Sequence, residues 1–369
     1  MKIFYADMRA KIKLNLFNKL EQMLERPEIK QAIPLKDALV AVKIHFGEDG
    51  NLSYIHPRLV RCVADWLKSQ AAQPFLTDSN SLYVGSRSDA VRHLRTAYKN
   101  GFGYEMQGIP AIIADGLRGL NVRQVEIGLK HFSTVDLGAE AAQAQAMVCL
   151  THFKAHELTG IGGAIKNVGM GLAARSGKLA IHSTVTPYMD EKCEACGQCI
   201  VYCPGEAITL GGPGGQAQIE AGKCLGCGQC VISCPGHHTH IRWDETVQNV
   251  QEKICELAYG LLVELKMPAI YVNFVSNVTP ECDCYGHSDA PIVPDVGILV
   301  GTDPVAIDQA SADLVNAQPG IKGTALPGAY EPGEDKFKAI YPQIDWTQQL
   351  SYGEQIGLGR RQYELVKLV

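Results

Sequence analysis

Eight of the thirteen cysteines in this 369-residue chain stand in two identical arrays. They are Cys193-x2-Cys196-x2-Cys199-x3-Cys203-Pro204 and Cys224-x2-Cys227-x2-Cys230-x3-Cys234-Pro235. Nothing else in the sequence constrains the fold as strongly. Three thiols at successive x2 spacings, with a fourth held back by three residues and followed by proline, form a cubane iron–sulfur signature. Zinc accepts the same soft thiolates, but from two separated Cys-x2-Cys pairs rather than a run of three. The odd count argues against a disulfide framework. The arrays repeat at an offset of 31 residues, Cys-Glu-Ala-Cys-Gly-Gln-Cys against Cys-Leu-Gly-Cys-Gly-Gln-Cys, so two pseudo-symmetric halves are expected. Gly211-Gly212-Pro213-Gly214-Gly215 between them is turn chemistry.

The doubled array resembles the bacterial two-cluster ferredoxin domain over residues 188–242. In that pattern the fourth cysteine of each run ligates the other cluster. The resemblance therefore implies one [4Fe-4S] cluster on Cys193, Cys196, Cys199 and Cys234, and another on Cys224, Cys227, Cys230 and Cys203. The second half ends in Gly236-His237-His238-Thr239-His240, and imidazoles there read as a solvated polar turn or as groups that tune a cluster.

On both sides of this segment, short apolar runs alternate with stretches of helical period. Strands are expected at Lys2–Ala6, Ala38–Phe46, Pro74–Thr77, Ala111–Ala114, Ala146–Leu150, Ile270–Val275 and Val296–Val300. Helices are expected around Leu16–Leu24, Leu59–Leu67, Ala90–Tyr98 and Val247–Leu261, and from Pro304 onward. The fold class is α/β: a mainly parallel sheet body with helices on its faces, interrupted by a small α+β ferredoxin-like insert. The divisions are 1–187 and 243–369 for the body and 188–242 for the insert. A composition of 46% hydrophobic and 20% charged residues excludes a disordered chain. The net charge of −5 lacks any basic block, which argues against nucleic acid as a partner. No apolar run is long enough for a membrane span, and the first residues lack a signal-peptide core, so a cytoplasmic protein is expected.

In such sheets ligands collect beyond the strand ends, where three loops stand out. The first runs from Thr151 to Gly171 and holds His152, His156, Lys154, Lys166 and many glycines. His152 and His156 at i, i+4 would share a helical face, as metal-ligating pairs do. The run contains no P-loop motif. The second loop, Pro280 to His287, carries Cys282-Asp283-Cys284, a spacing too tight for an ordinary disulfide but suited to a metal beside a histidine. The third, Gly301 to Asp308, turns a strand into a helix, with Thr302 or Asp303 as its cap and Asp308 on the next turn. Cys62, Cys149 and Cys255 lie in apolar faces and read as idle thiols.

Four pieces, Thr77–Arg87, Gly163–Gly169, Cys282–Cys284 and Asp303–Asp308, together resemble the domain-of-unknown-function 362 family, which often carries an inserted ferredoxin module. A more distant similarity is to the nickel-pincer lactate racemases, whose cofactor domain places a catalytic His, a cofactor-bearing Lys and a nickel-binding His in one stretch. His156, Lys166 and His182 follow in that order here, with Asn167-Val168-Gly169 after the lysine where the racemases have an apolar Leu-Pro-Gly segment.

Three functions follow as expectations. The first is an electron-transfer protein with two [4Fe-4S] clusters, serving a ligand or metal site in the body and exchanging electrons with a redox partner protein or a small-molecule donor or acceptor. The second is a metal-dependent reductase, an iron–sulfur oxidoreductase with a third site drawn from Cys282, Cys284, His152 and His182, and with Lys166 and His156 as catalytic candidates. The third is an iron–sulfur or metal carrier in cofactor maturation, for which the Cys-x-Cys would be a transient docking site.

Overall fold

The computed structural model describes residues 1–212 and 215–368. Eight strands build the central sheet: β1 (Lys2–Asp7), β2 (Leu39–Ile44), β3 (Gln73–Asp78), β4 (Ala111–Ile113), β5 (Ala146–His152), β6 (Ala269–Val275), β7 (Gly297–Gly301) and β8 (Glu364–Lys367). Their order is β8-β1-β7-β6-β5-β2-β3-β4. Only β7 runs against its neighbours, β1 and β6; the remaining pairs are parallel. Every residue of β5, β6 and β7 is buried, as expected where helices cover both faces of a sheet.

The helices that matter for the site are α1 (Leu16–Leu24), α2 (Pro57–Ser69), α3 (Ala90–Lys99), α4 (Ala164–Gly169), α5 (Arg175–His182), α6 (Val247–Tyr259) and α7 (Pro304–Asn316). One layer packs α1 and α2 on one face of the sheet around Leu20, Val60, Val63 and Leu67. The other packs α4, α6 and α7 on the opposite face around Ile165, Val168, Ile254, Leu257 and Ile307. Each expected strand and helix of the body is found within a few residues of its expected bounds. No helix among the described residues is long and apolar enough to cross a membrane.

Residues 188–242 carry two short two-stranded sheets apart from the central one, and their small core includes Leu82 and Leu179 of the body. The ends of this small unit are paired, Tyr188 with His240 and Met189 with Thr239, and Ile208–Leu210 forms a hairpin with Ala217–Ile219. Of the Gly-rich turn expected there, Gly211, Gly212 and Gly215 lie at the hairpin's end, closed by the Gly211 N–H donating to the Gln216 carbonyl, 3.0 Å. Pro213 and Gly214 lie outside the described residues. The sequence repeat is repeated in the backbone. Left-handed φ values recur at Ala195 and Gly226, at Gly197 and Gly228, and at Glu206 and His237, each pair 31 positions apart.

Candidate functional site

The carboxyl ends of β2, β3, β5 and β6 open on one cavity of about 520 Å³, at the edge where strand order carries the chain to and fro. Each strand delivers chemistry with its last residues: His45 after β2, Asp78 ending β3, His152 ending β5, and the Cys282–Cys284 loop after β6. The α4 helix adds Lys166 and Asn167, and α5 adds Lys178 and His182.

The cavity wall on this side is a buried ion network. The fully buried Lys43 donates to Asn167 Oδ1 at 2.7 Å and pairs with Asp78 at 3.0 Å. Arg87 pairs with Glu48 at 3.0 Å and donates to the Tyr83 hydroxyl at 2.6 Å. Burial would push the Asp78 carboxyl up, but the charges of Lys43, His45, His93 and Lys178 hold it well below the usual range. Burial lowers Lys178 to about 8 although it donates to Ser79 Oγ and the Asn80 carbonyl, both 2.6 Å. None of Lys43, Asp78, Arg87 or Lys178 is singled out by sequence spacing; Asp78 and Arg87 fall within the Thr77–Arg87 piece, Lys43 lies near the end of β2 and Lys178 in α5.

The Cys-x-Cys loop is held from several sides. Asp283, buried between the two cysteines, accepts from His152 Nδ1 at 2.9 and 3.0 Å and from Ser53 Oγ at 2.8 Å, and pairs with Lys154 at 3.0 Å. The Glu48 N–H donates to its carbonyl, and the Tyr83 hydroxyl donates to that of Cys284. Cys282 and Cys284 therefore line the cavity on a braced loop. Cys282 lies under Lys166, whose Nζ is 4.0 Å from its sulfur, and accepts the Cys284 backbone N–H at 3.4 Å. A hydrogen bond from the Cys284 thiol holds the Cys282 thiol well below its usual value against the effect of burial, and Lys166 and His156 add to it. Cys284 is correspondingly pushed well up.

Two expectations about the histidines need correction. His152 and His156 do not share a helical face: His152 ends β5, and Lys154–His156 forms a hairpin with Gly160–Gly162. The apolar run of β5 continues through His152, and extended backbone overrides the i, i+4 spacing. Nor is His152 available to a metal. Its Nδ1 faces Asp283 and its Nε2 faces the carbonyls of Ser276 and Asn277 at 3.1 and 3.0 Å, so both nitrogens are spent on acceptors. His287 is exposed and turned to Glu281 at 2.6 Å, away from the thiols. His182 does reach the cavity, its ring edge-to-face with Trp243 at 4.9 Å. Burial first, then Lys166 and His156, lowers it to about 3, so it is a neutral imidazole. Lys166 and His156 line the same cavity. Among the described residues no three His, Cys, Asp or Glu side chains converge as a single-ion site.

The glycines after His156 serve packing. A Cβ at Gly163 would meet the Asp308 carboxylate at 2.4 Å, and one at Gly169 the Ile254 carbonyl at 2.1 Å. Asp308, unexplained by capping of its own helix, accepts the N–H groups of Ala164 and Ile165 at 2.7 and 3.0 Å and the Asn273 amide at 2.8 Å. It fixes the first turn of α4 and so aims Lys166. Asp303 caps α7 through the N–H groups of Val305 and Ala306, both 2.9 Å. Cys62, Cys149 and Cys255 are buried in the two cores.

In the small unit, thiols of the two arrays act on one another, Cys199 on Cys230 among them. The thiols that bear on Cys199 are those of Cys193, Cys196 and Cys234. Those that bear on Cys227 are Cys203 and Cys224. Cys203 and Cys234 also match in detail: each sulfur accepts a backbone N–H four residues on, from Ala207 at 3.2 Å and from His238 at 3.1 Å. His238 and His240 both turn to Asp190, at 3.2 and 2.8 Å, and so tie the unit's two ends together. Burial and neighbouring thiols push Cys230 up to about 12. Such a set is costly as bare thiolates, and positive charge set among the sulfurs would relieve it; the donor chemistry thus fits an iron–sulfur cluster.

The second array lies against the body. Gly226 and Gly228 abut Leu179 and Leu82, and Gln229 donates to the Arg118 carbonyl. Leu82 packs in one cluster with Cys230 and also lines the cavity. The chain leaving the unit brings Trp243 to the cavity wall.

No curated protein matches the chain in sequence. Among solved structures, the lactate racemase apoprotein from Thermoanaerobacterium thermosaccharolyticum is similar with a TM-score of 0.39 and 12% identity, over 74% of this chain and 50% of that one. The chain spans about half the length of that structure. The sequence profile of a domain of unknown function, DUF362, matches residues 40–313, from β2 into α7. That span includes the cavity-lining strand ends, the Cys-x-Cys loop and both cysteine arrays, and the chain belongs to the DUF362 family.

Proposed function

We propose that the protein transfers electrons through two [4Fe-4S] clusters to or from a small molecule held in the cavity of the α/β body. Cys193, Cys196, Cys199 and Cys234 would hold the outer cluster, and Cys203, Cys224, Cys227 and Cys230 the inner one. Bound there, the clusters would exchange single electrons. The observation that carries this reading is the double contact of Leu82, which packs with the thiols on one side and faces the cavity on the other.

The body's residues then have definite tasks. Asp308 aims Lys166, Asp283 braces the Cys282 loop, and the Lys43–Asp78 and Arg87–Glu48 pairs keep the cavity floor in one arrangement. His45 accepts the Gly47 N–H on Nδ1 and His156 accepts that of Leu158, each at 3.1 Å, which leaves Nε2 of each to donate. The ligand is thus met by imidazole N–H groups and the Lys166 ammonium on largely apolar walls, a setting suited to oxygen-bearing groups.

On the outer side, Cys196 and the neighbouring Val201 and Tyr202 are exposed, and a redox partner protein would approach there. Thirteen free thiols suit a reducing compartment, and we place the protein in the cytoplasm. The test is electron paramagnetic resonance of protein purified without oxygen and reduced with dithionite. Two interacting cubane signals are expected; a protein that neither bleaches nor gives a signal on reduction refutes the reading.

A further inference from the structure

Outside the arrays, the arrangement the proposed relay does not use is the sulfur of Cys282. Cys282 is one of the cavity's lining residues, although it is only 5% exposed. Its hydrogen-bond donors are the Lys166 ammonium at 4.0 Å and the Cys284 backbone N–H at 3.4 Å, and the His156 ring lines the same cavity. All of these present hydrogens. A metal site needs lone pairs converging on one point, whereas His156 has spent its Nδ1 lone pair on the Leu158 N–H. The surroundings are those of an activated sulfur nucleophile with cationic and N–H donors at its side.

We propose that Cys282 is a nucleophile that captures a small carbonyl compound of the aldehyde class, with Lys166 supplying the proton to the carbonyl oxygen. The thiolate sulfur adds to the carbonyl carbon, the π pair moves to oxygen, and oxygen takes a proton from the Lys166 ammonium. One S–C bond forms, the C=O π bond breaks, nothing leaves and nothing is oxidised or reduced. The product is a neutral thiohemiacetal beside a neutral amine, and reversal restores the ion pair.

Donors beside the sulfur select a carbonyl among electrophiles, because charge develops on an oxygen one bond from the attacked carbon. A reaction at saturated carbon would place no charge there. The bracing of the loop by Asp283, Tyr83 and Glu48 keeps the sulfur in place without a ligand.

The test uses the full chain purified without oxygen, a brief exposure to iodoacetamide at fixed pH, and peptide mapping of each cysteine. Cys282 should be alkylated about tenfold faster than its neighbour Cys284. Propanal should slow that labelling several-fold, reversibly on dilution, and Lys166→Met should abolish the protection. Lys166→Arg, which keeps the charge, guards against a folding defect: it should retain fast alkylation of Cys282. Faster labelling of Cys284, or no protection by propanal, overturns the proposal. So does labelling that appears only after a chelator strips metal, or a borohydride-trapped adduct on Lys166. Iron and sulfide assayed in the same sample report on the clusters separately, so a failure of the relay and a failure of the nucleophile are told apart.

Discussion

The two cysteine arrays are nearly the same sequence in two different surroundings. Gly197 and Gly228 are equivalent in the repeat and share a left-handed backbone, yet a Cβ at Gly197 would meet nothing within 4 Å while one at Gly228 would meet Leu82 and Arg175 at 3.2 and 3.3 Å. Gln198 is exposed, whereas its counterpart Gln229 is buried and bonded to the Arg118 carbonyl. Local spacing makes two alike cysteine arrays, and contact with the body makes one of them inner and the other outer. A relay with a direction in space can thus arise from a symmetric repeat.

The largest effect that could break this comparison comes from the crossing cysteines. Cys234→Ser should abolish or strongly alter the outer signal and leave the inner, with iron falling from about eight to about four per chain; Cys203→Ser should do the reverse. Perturbation of the nearer array in each case would show that ligation is not crossed. Next, Gln229→Ala should cost about 1 kcal/mol in thermal or denaturant unfolding, since it removes one buried hydrogen bond to the Arg118 carbonyl, which keeps Arg175 as its other donor, while Gln198→Ala should stay within about 0.5 kcal/mol. Equal costs would mean that the inner array is not docked.

Asp308→Ala tests whether the body's side of the comparison is equally specific. It should destabilise by about 2 kcal/mol through the freed N–H groups of Ala164 and Ile165. Alkylation of Cys282 should change with it if Lys166 is no longer aimed. The smallest effect separates body from insert by pH. Burial pushes Glu252 up, but hydrogen bonds from Lys130, Gln248 and His131 outweigh it and hold the carboxyl at about 2, below its usual 4.5. Its folded value is depressed, so its contribution to stability is full above about pH 4.5 and is lost as pH falls toward 2. In Glu252→Gln the acid limb of a body unfolding curve should flatten over that window, while the visible absorbance of the insert keeps its wild-type pH dependence.

Much of this was legible in the sequence for a simple physical reason. The cysteines of the arrays lie at fixed short spacings, and strands and helices show in periods of two and 3.6, so both arrays and the body's alternation could be read directly. The crossed assignment of the thiols to two clusters rests on the ferredoxin resemblance. The cavity was less legible because it is assembled from ends of strands far apart in the chain. Lys43 and Asp78 meet only because β2 and β3 are neighbours, and a lysine within an apolar strand gives no sign of its partner. The histidine pair was misread because i, i+4 spacing has no meaning in extended chain. Asp308 looked surplus as a cap because the helix end it serves, at Ala164, is 144 residues away.

The central claim is tested most directly by iron and acid-labile sulfide in protein purified without oxygen. The account predicts about eight of each per chain. One or two zinc ions with no sulfide would contradict it and would make the doubled array a structural metal module.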